Sequence, residues 1–79
     1  MNERIVAIAQ GLARGDRSST LERLAFEYGV SQRTIRNDIK TLNRYLTETE
    51  LTPLEYGPGG VVVVPPDFLR VLESLPLLG

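Results

Sequence analysis

Gly29 is the tightest constraint in this chain. It falls between two segments that each read as helix and leaves only Val30 and Ser31 to join them. Before it, Leu21, Leu24, Ala25 and Tyr28 recur at helical spacing. After it, Ile35, Ile39, Leu42 and Leu46 follow at intervals of four, three and four, the stripe of one buried helix face. Gly29 stops the first helix because the sharp turn there wants a positive φ, which costs glycine little. Ser31 restarts the chain as a helix N-cap. Two short helices therefore cross steeply over a tight turn.

The flanking sequence completes the order. Asn2 caps a first helix with Ile5, Ile8, Ala9 and Leu12 on its buried side and Val6 beside them. Gly15 is placed to stop it, and Asp16 to Ser18 is a polar connection. Ser19-Thr20-Leu21-Glu22 fits a capping box that opens the second helix at Ser19. Thr47 to Glu50 reads as a loop, and Leu51 to Tyr56 as a weak edge strand because Pro53 interrupts it. Gly57-Pro58-Gly59-Gly60 is a turn, Val61 to Val64 a β-branched strand, and Pro65-Pro66 its end. Asp67 then caps a short amphipathic segment with Phe68, Val71, Leu72 and Leu75 on one side. The expected fold class is mainly α (α+β), three helices followed by a C-terminal β-hairpin and a short helical tail. Residues 1–64 form the domain. Residues 65–79 are a tail or linker toward an absent domain, since Leu75 to Leu78 ends the sequence apolar, as a chain cut from a longer protein would.

Composition narrows the chemistry. With 79 residues, 42% apolar and 24% charged, the chain can order one small core and has little left for a deep pocket. It has no Cys and no His, so thiolate nucleophiles, disulfides, the commonest general base and the commonest metal ligands are absent. The acids are scattered rather than paired for acid–base work. The Gly57 to Gly60 run lacks the Gly-Lys-Ser/Thr that follows in a nucleotide-binding loop. Neither an enzyme nor a cofactor nor a metal is expected. No apolar run approaches a signal peptide or a membrane span, so a cytoplasmic location is the default and no membrane partner is expected.

The net charge of −1 hides a division. Residues 1–47 carry eight basic side chains (Arg4, Arg14, Arg17, Arg23, Arg33, Arg36, Lys40, Arg44) against five acidic ones, a net of +3. Residues 48–79 carry Arg70 against Glu48, Glu50, Glu55, Asp67 and Glu73, a net of −4. Stepping the third helix at about 100° per residue puts Arg33, Asn37, Lys40 and Arg44 opposite its apolar stripe. Arg36 and Thr34 flank that set, and the one acid, Asp38, falls nearer the core side. The outer face is thus basic and amide-bearing over about 18 Å. Solubility alone would favour mixed signs. The chemistry suits a DNA major groove, which admits a helix. There Arg pairs with guanine O6 and N7, and Asn or Gln with adenine N6 and N7. Gln32, Arg33, Arg36 and Asn37, in the first two turns, are the candidate base readers. Lys40 and Arg44 lie where phosphate contact is expected, and the hydroxyls of Ser19, Thr20 and Ser31 can serve phosphates or simply cap helices.

The run Leu24-Ala25-Phe26-Glu27-Tyr28-Gly29-Val30-Ser31-Gln32-Arg33-Thr34-Ile35-Arg36-Asn37-Asp38-Ile39 resembles the helix-turn-helix of bacterial winged-helix regulators. Ala25 lets the helices approach, Gly29 makes the turn, and Val30 and Ile35 fill the space between. The stretch from Ser31 to Leu42 is similar to the DeoR-type regulators and to the N-terminal domains of sugar-operon activators with phosphotransferase-regulated domains. Asn43-Arg44-Tyr45-Leu46 leans toward the second group. The resemblance covers about residues 5–64 and is strongest over residues 20–46. It implies a winged helix-turn-helix, sequence-specific binding of double-stranded DNA with the third helix (residues 31–46) in the major groove, transcriptional control, and a homodimer in the full-length protein. It also implies a small strand at Asp16 to Ser18 beside the hairpin. In one respect the chain departs from the pattern. The hairpin offers Glu55, Tyr56 and the Gly57 to Gly60 turn with no cation, so this wing is expected to brace the core, with the Gly59 and Gly60 N–H groups as its one route to phosphate.

The alternative is a winged helix that docks proteins through its acidic hairpin and apolar tail. Phe26, Tyr28, Tyr45 and Phe68 are expected as core or rim packing rather than as stacking platforms for single strands.

Overall fold

The computed structural model of the protein describes residues 2–14 and 19–73. Helix α1 (Glu3–Ala13) starts where expected, with the Asn2 side-chain oxygen accepting from the Ile5 N–H at 2.9 Å. It buries Ile5, Ile8, Ala9, Leu12 and Ala13. The expected stop at Gly15 and strand at Asp16–Ser18 lie outside the described residues.

Helix α2 (Leu21–Tyr28) begins one residue later than the capping-box reading. Thr20, not Ser19, is the N-cap, its hydroxyl oxygen accepting from the Arg23 N–H at 3.0 Å. Ser19 belongs to the sheet side of the chain: its carbonyl accepts from the Val62 N–H at 2.9 Å, and Thr20 forms an antiparallel bridge with Val61. With Thr20 as cap, the third helical position is Arg23, so no capping box closes. Glu22 instead sits exposed in the first turn, where the helix dipole favours an acid.

The turn is built as the sequence implied. Gly29 has φ 66° and ψ 34°, and the N–H groups of Gly29 and Val30 bond back to the carbonyls of Phe26 and Ala25. That pair of bonds is a Schellman cap. Ser31 caps α3 (Gln32–Glu48), accepting from the Thr34 N–H at 3.1 Å. Helix α3 runs into the segment expected to be loop. It ends in a second Schellman cap, in which Glu50 (φ 63°) takes the left-handed position and Leu51 N–H bonds to the Leu46 carbonyl at 2.8 Å.

The wing is smaller than the strand patterns suggested. Strands β1 (Glu55–Tyr56) and β2 (Val62–Val63) pair antiparallel, Glu55 with Val63 and Tyr56 with Val62. Residues 51–54 are not strand, because Leu51 and Leu54 both turn into the core. Buried positions three apart cannot share one face of a strand. The turn between the strands contains a 3-10 helix (Pro58–Gly60), tied by a Gly57 N–H to Val61 carbonyl bond at 2.7 Å.

A 3-10 helix (Pro66–Glu73) follows and packs Phe68 and Val71 onto α1. Asp67 does not cap it. The helix already starts at Pro66, and Asp67 Oδ2 accepts from the Thr52 N–H at 3.1 Å and the Thr52 hydroxyl at 2.9 Å, clipping the tail to the chain entering the wing. The apolar end at Leu75 to Leu78 lies outside the described residues. The core joins α1, α2, α3, Leu51, Leu54, Val62, Phe68 and Val71. Three helices followed by a two-stranded antiparallel hairpin make a winged helix-turn-helix.

Candidate nucleic-acid interface

Helix α3 is fixed in rotation from two sides. Ile35, Ile39, Leu42 and Leu46 are buried, which turns the opposite face outward. Asp38 is 6% exposed and accepts two bonds from Arg4 of α1, Nε to Oδ2 at 2.5 Å and Nη2 to Oδ1 at 3.0 Å. The bond to Asp38 raises the Arg4 pKa above its ordinary value. The paired fork gives both oxygens of a carboxylate that lies largely out of water a charge-assisted partner. The placement of Asp38 toward the core was legible in the helical angles; its partner, 34 residues away, was not.

The remaining polar side chains of α3 divide clearly. Gln32, Arg33, Arg36, Asn37, Lys40 and Arg44 are all exposed. Thr34 is half-buried, its hydroxyl 3.0 Å from that of Ser31. Ser31 is exposed, and Thr20 is half-buried with its oxygen used as a cap. Ser19 departs from the expected set. It is 2% exposed, so its hydroxyl is out of reach of a phosphate. Gly60 also turns inward, its N–H bonded to the Gly57 carbonyl at 3.3 Å and its α-carbon facing Leu21, which removes one of the two wing N–H groups considered for phosphate.

Two contributors were missed by sequence reasoning. Asn43 uses both ends of its amide on Leu54, accepting from the backbone N–H at 2.7 Å and donating to the carbonyl at 3.0 Å. It thereby clamps the chain two residues before Tyr56, which pairs with Val62 beside the turn. Tyr56 lies beneath Arg36, whose guanidinium carbon is 5.7 Å from the ring centroid. Burial pushes the Tyr56 phenol above its ordinary pKa, with Arg36 opposing, so the ring is a neutral phenol at physiological pH. Arg36, Asn37, Ile39, Lys40, Asn43 and Tyr56 line a cleft of about 330 Å³ between α3 and the wing. Phe26 corrects another expectation: it is 89% exposed and stands outside the core packing, whereas Phe68 is buried.

A family model described as an HTH domain matches residues 4–61, from the first turn of α1 to the residue before β2. The chain belongs to the HTH domain family. In this HTH domain the matched span holds all three helices, the Gly29 turn and the whole exposed face of α3. The family is a DNA-binding fold, not typically enzymatic, and its partner is DNA. Searches of curated proteins and of solved structures gave no match. Among the described residues of the HTH domain, no group of three or more metal-ligating side chains occurs, and no helix is long and apolar enough to cross a membrane.

Proposed function

We propose that this domain binds double-stranded DNA sequence-specifically, with α3 in the major groove, as the N-terminal reader of a longer bacterial transcription regulator. The observation that carries the reading is the clean division of α3, whose apolar stripe is buried while Gln32, Arg33, Arg36, Asn37, Lys40 and Arg44 are exposed. Arg33, Arg36, Asn37 and Gln32 serve base edges from the first two turns. Lys40 and Arg44 serve phosphate, with the Ser31 and Thr20 hydroxyls and the flanking Thr34 at the backbone. The resemblance to DeoR-type and phosphotransferase-regulated activators supports a cytoplasmic regulator that pairs as a homodimer, since one domain supplies one half-site.

The test is selection of retained duplexes from a random pool at several salt concentrations. An enriched motif is expected. If five phosphates are neutralised, log affinity falls against log salt with a slope of about −4.5, or roughly 500-fold between 50 and 200 mM. Arg33→Ala with Arg36→Ala should weaken the selected site at least about 30-fold while leaving thermal unfolding unchanged. Equal binding by wild type and variant to selected and random duplexes would remove α3 from the interface. One observation favours a second reading, a protein-docking winged helix: the exposed Phe26 on α2.

A further inference from the structure

We propose that Tyr56 is a specificity-determining positioning residue that acts through Arg36. The inference rests on α3 reading DNA and goes beyond it, because it gives the cation-free wing a part in base choice without contact to DNA.

The geometry supplies the argument. The Arg36 guanidinium lies 5.7 Å from the Tyr56 ring centroid, within the range of a cation–π contact. Tyr56 is itself held from both sides. Its strand partner Val62 is buried in the core, and the Asn43 amide fixes Leu54 two residues earlier against α3. The ring is therefore anchored to the same helix that carries Arg36. An arginine free to swing from an exposed helix finds whichever phosphate or base lies nearest. One tethered to a ring gives up that freedom before binding, so more of its contact energy separates the right base from the wrong one. The wing's missing cations fit this role, since Glu55 and the Pro58 to Gly60 tip offer phosphate no positive charge.

The test uses the selected duplex and a panel with each base pair altered. The position read by Arg36 is the one whose alteration no longer matters in Arg36→Ala. At that position Tyr56→Leu should lower discrimination about fivefold, and up to about thirtyfold if DNA excludes water from the contact. Discrimination elsewhere and the salt slope should stay unchanged. Tyr56→Phe keeps the ring face and should stay within about twofold of wild type. In an Arg36→Ala background, Tyr56→Leu should have no further effect. A uniform loss on all duplexes, or a loss that persists without Arg36, means that Tyr56 meets DNA itself and overturns the inference while leaving α3 as reader. A wild-type protein that binds no duplex overturns both. NMR relaxation of the Arg36 Nε–H in the free protein gives a readout without DNA. The Arg36 side chain should be more ordered in wild type and Tyr56→Phe than in Tyr56→Leu, and equal order in all three overturns the tether.

Discussion

Helix α3 and the wing line the same cleft with opposite chemistry and opposite means of support. Helix α3 exposes Arg33, Arg36, Lys40 and Arg44, while residues 55–60 of the wing expose no cation. The helix is placed by its own stripe, burying Ile35, Ile39, Leu42 and Leu46. The hairpin is two residue pairs, of which only Val62 is fully buried. A hairpin of that size has no independent stability. It is held in place by others: the Asn43 clamp on Leu54, the Ser19 carbonyl on the Val62 N–H, and the Thr20–Val61 bridge. The difference teaches that the element exposing the cations is placed by a core-packed stripe and the Arg4 pair, whereas the wing is placed by a few hydrogen bonds. The wing needs no cation to hold its place, because that place is set by bonds to backbone.

The largest effect should come from attacking the core-packed element. Leu42 is fully buried, and Leu42→Ala should cost about 3 kcal/mol from lost transfer energy plus the cavity left behind. In a domain of this size that is roughly 15 °C in Tm, measured by thermal unfolding. A fall of less than about 5 °C would mean that the α3 stripe is not the mainstay. The next largest should come from the wing's clamp. Asn43→Ala leaves the Leu54 N–H and carbonyl without their partner in a partly buried place, which should cost about 2 kcal/mol, near 10 °C in Tm. Hydrogen exchange separates the two elements. The amides of Gly57 and Val62, bonded to the Val61 and Ser19 carbonyls, should lose protection in Asn43→Ala well before those of α3. Uniform loss across the chain would show that wing and helices open as one unit and would break the comparison.

The junction between the two elements is sharpened by its two matching helix ends. Gly29 and Glu50 occupy the same left-handed position in Schellman caps, with φ 66° and 63°. A methyl group at Gly29 would meet nothing within 4 Å, so Gly29→Ala tests backbone conformation alone. It should cost about 1 kcal/mol, roughly 5 °C in Tm. Glu50→Gly relieves the same strain where α3 hands the chain to the wing. It should raise Tm by a smaller amount, because glycine also frees the unfolded chain. A fall in Tm would show that Glu50 holds the junction by its side chain.

These two caps also explain what was legible. Gly29 announced its turn by residue type, and with Asn2 and Ser31 as caps the three helices, their apolar stripes and the outward face of α3 followed from local periodicity. Glu50 adopts the same geometry without the telling glycine, so the end of α3 was read as loop. Ser19 and Thr20 are equally good caps by type; the choice fell to Thr20 because the chain pairs with β2 just before it. Asp67 likewise looked local and bonds to Thr52, 15 residues away. Arg4 with Asp38, Asn43 with the Leu54 backbone and Arg36 with Tyr56 join residues 34, 11 and 20 positions apart. No spacing rule reports such pairs. The periodic part of the candidate interface could be read from the chain, and the parts that aim it needed the fold.

The smallest expected effect concerns a residue outside both elements. Phe26 is 89% exposed on α2, so replacing it removes almost no buried surface. Phe26→Ser should leave stability within about 0.5 kcal/mol of wild type, a shift in Tm of no more than a few degrees. Affinity for the selected duplex should stay within about twofold, because the proposed reading assigns no DNA contact to Phe26. An unchanged Tm with a large loss of DNA affinity would extend the interface across α2 and end the assignment of reading to α3 alone. An unchanged Tm and unchanged DNA binding would leave Phe26 as a solvent-facing aromatic without a role in either. A single exposed aromatic of that size then suits an anchor for a partner protein laid against this face, since aromatic side chains are enriched among the residues that carry such contacts.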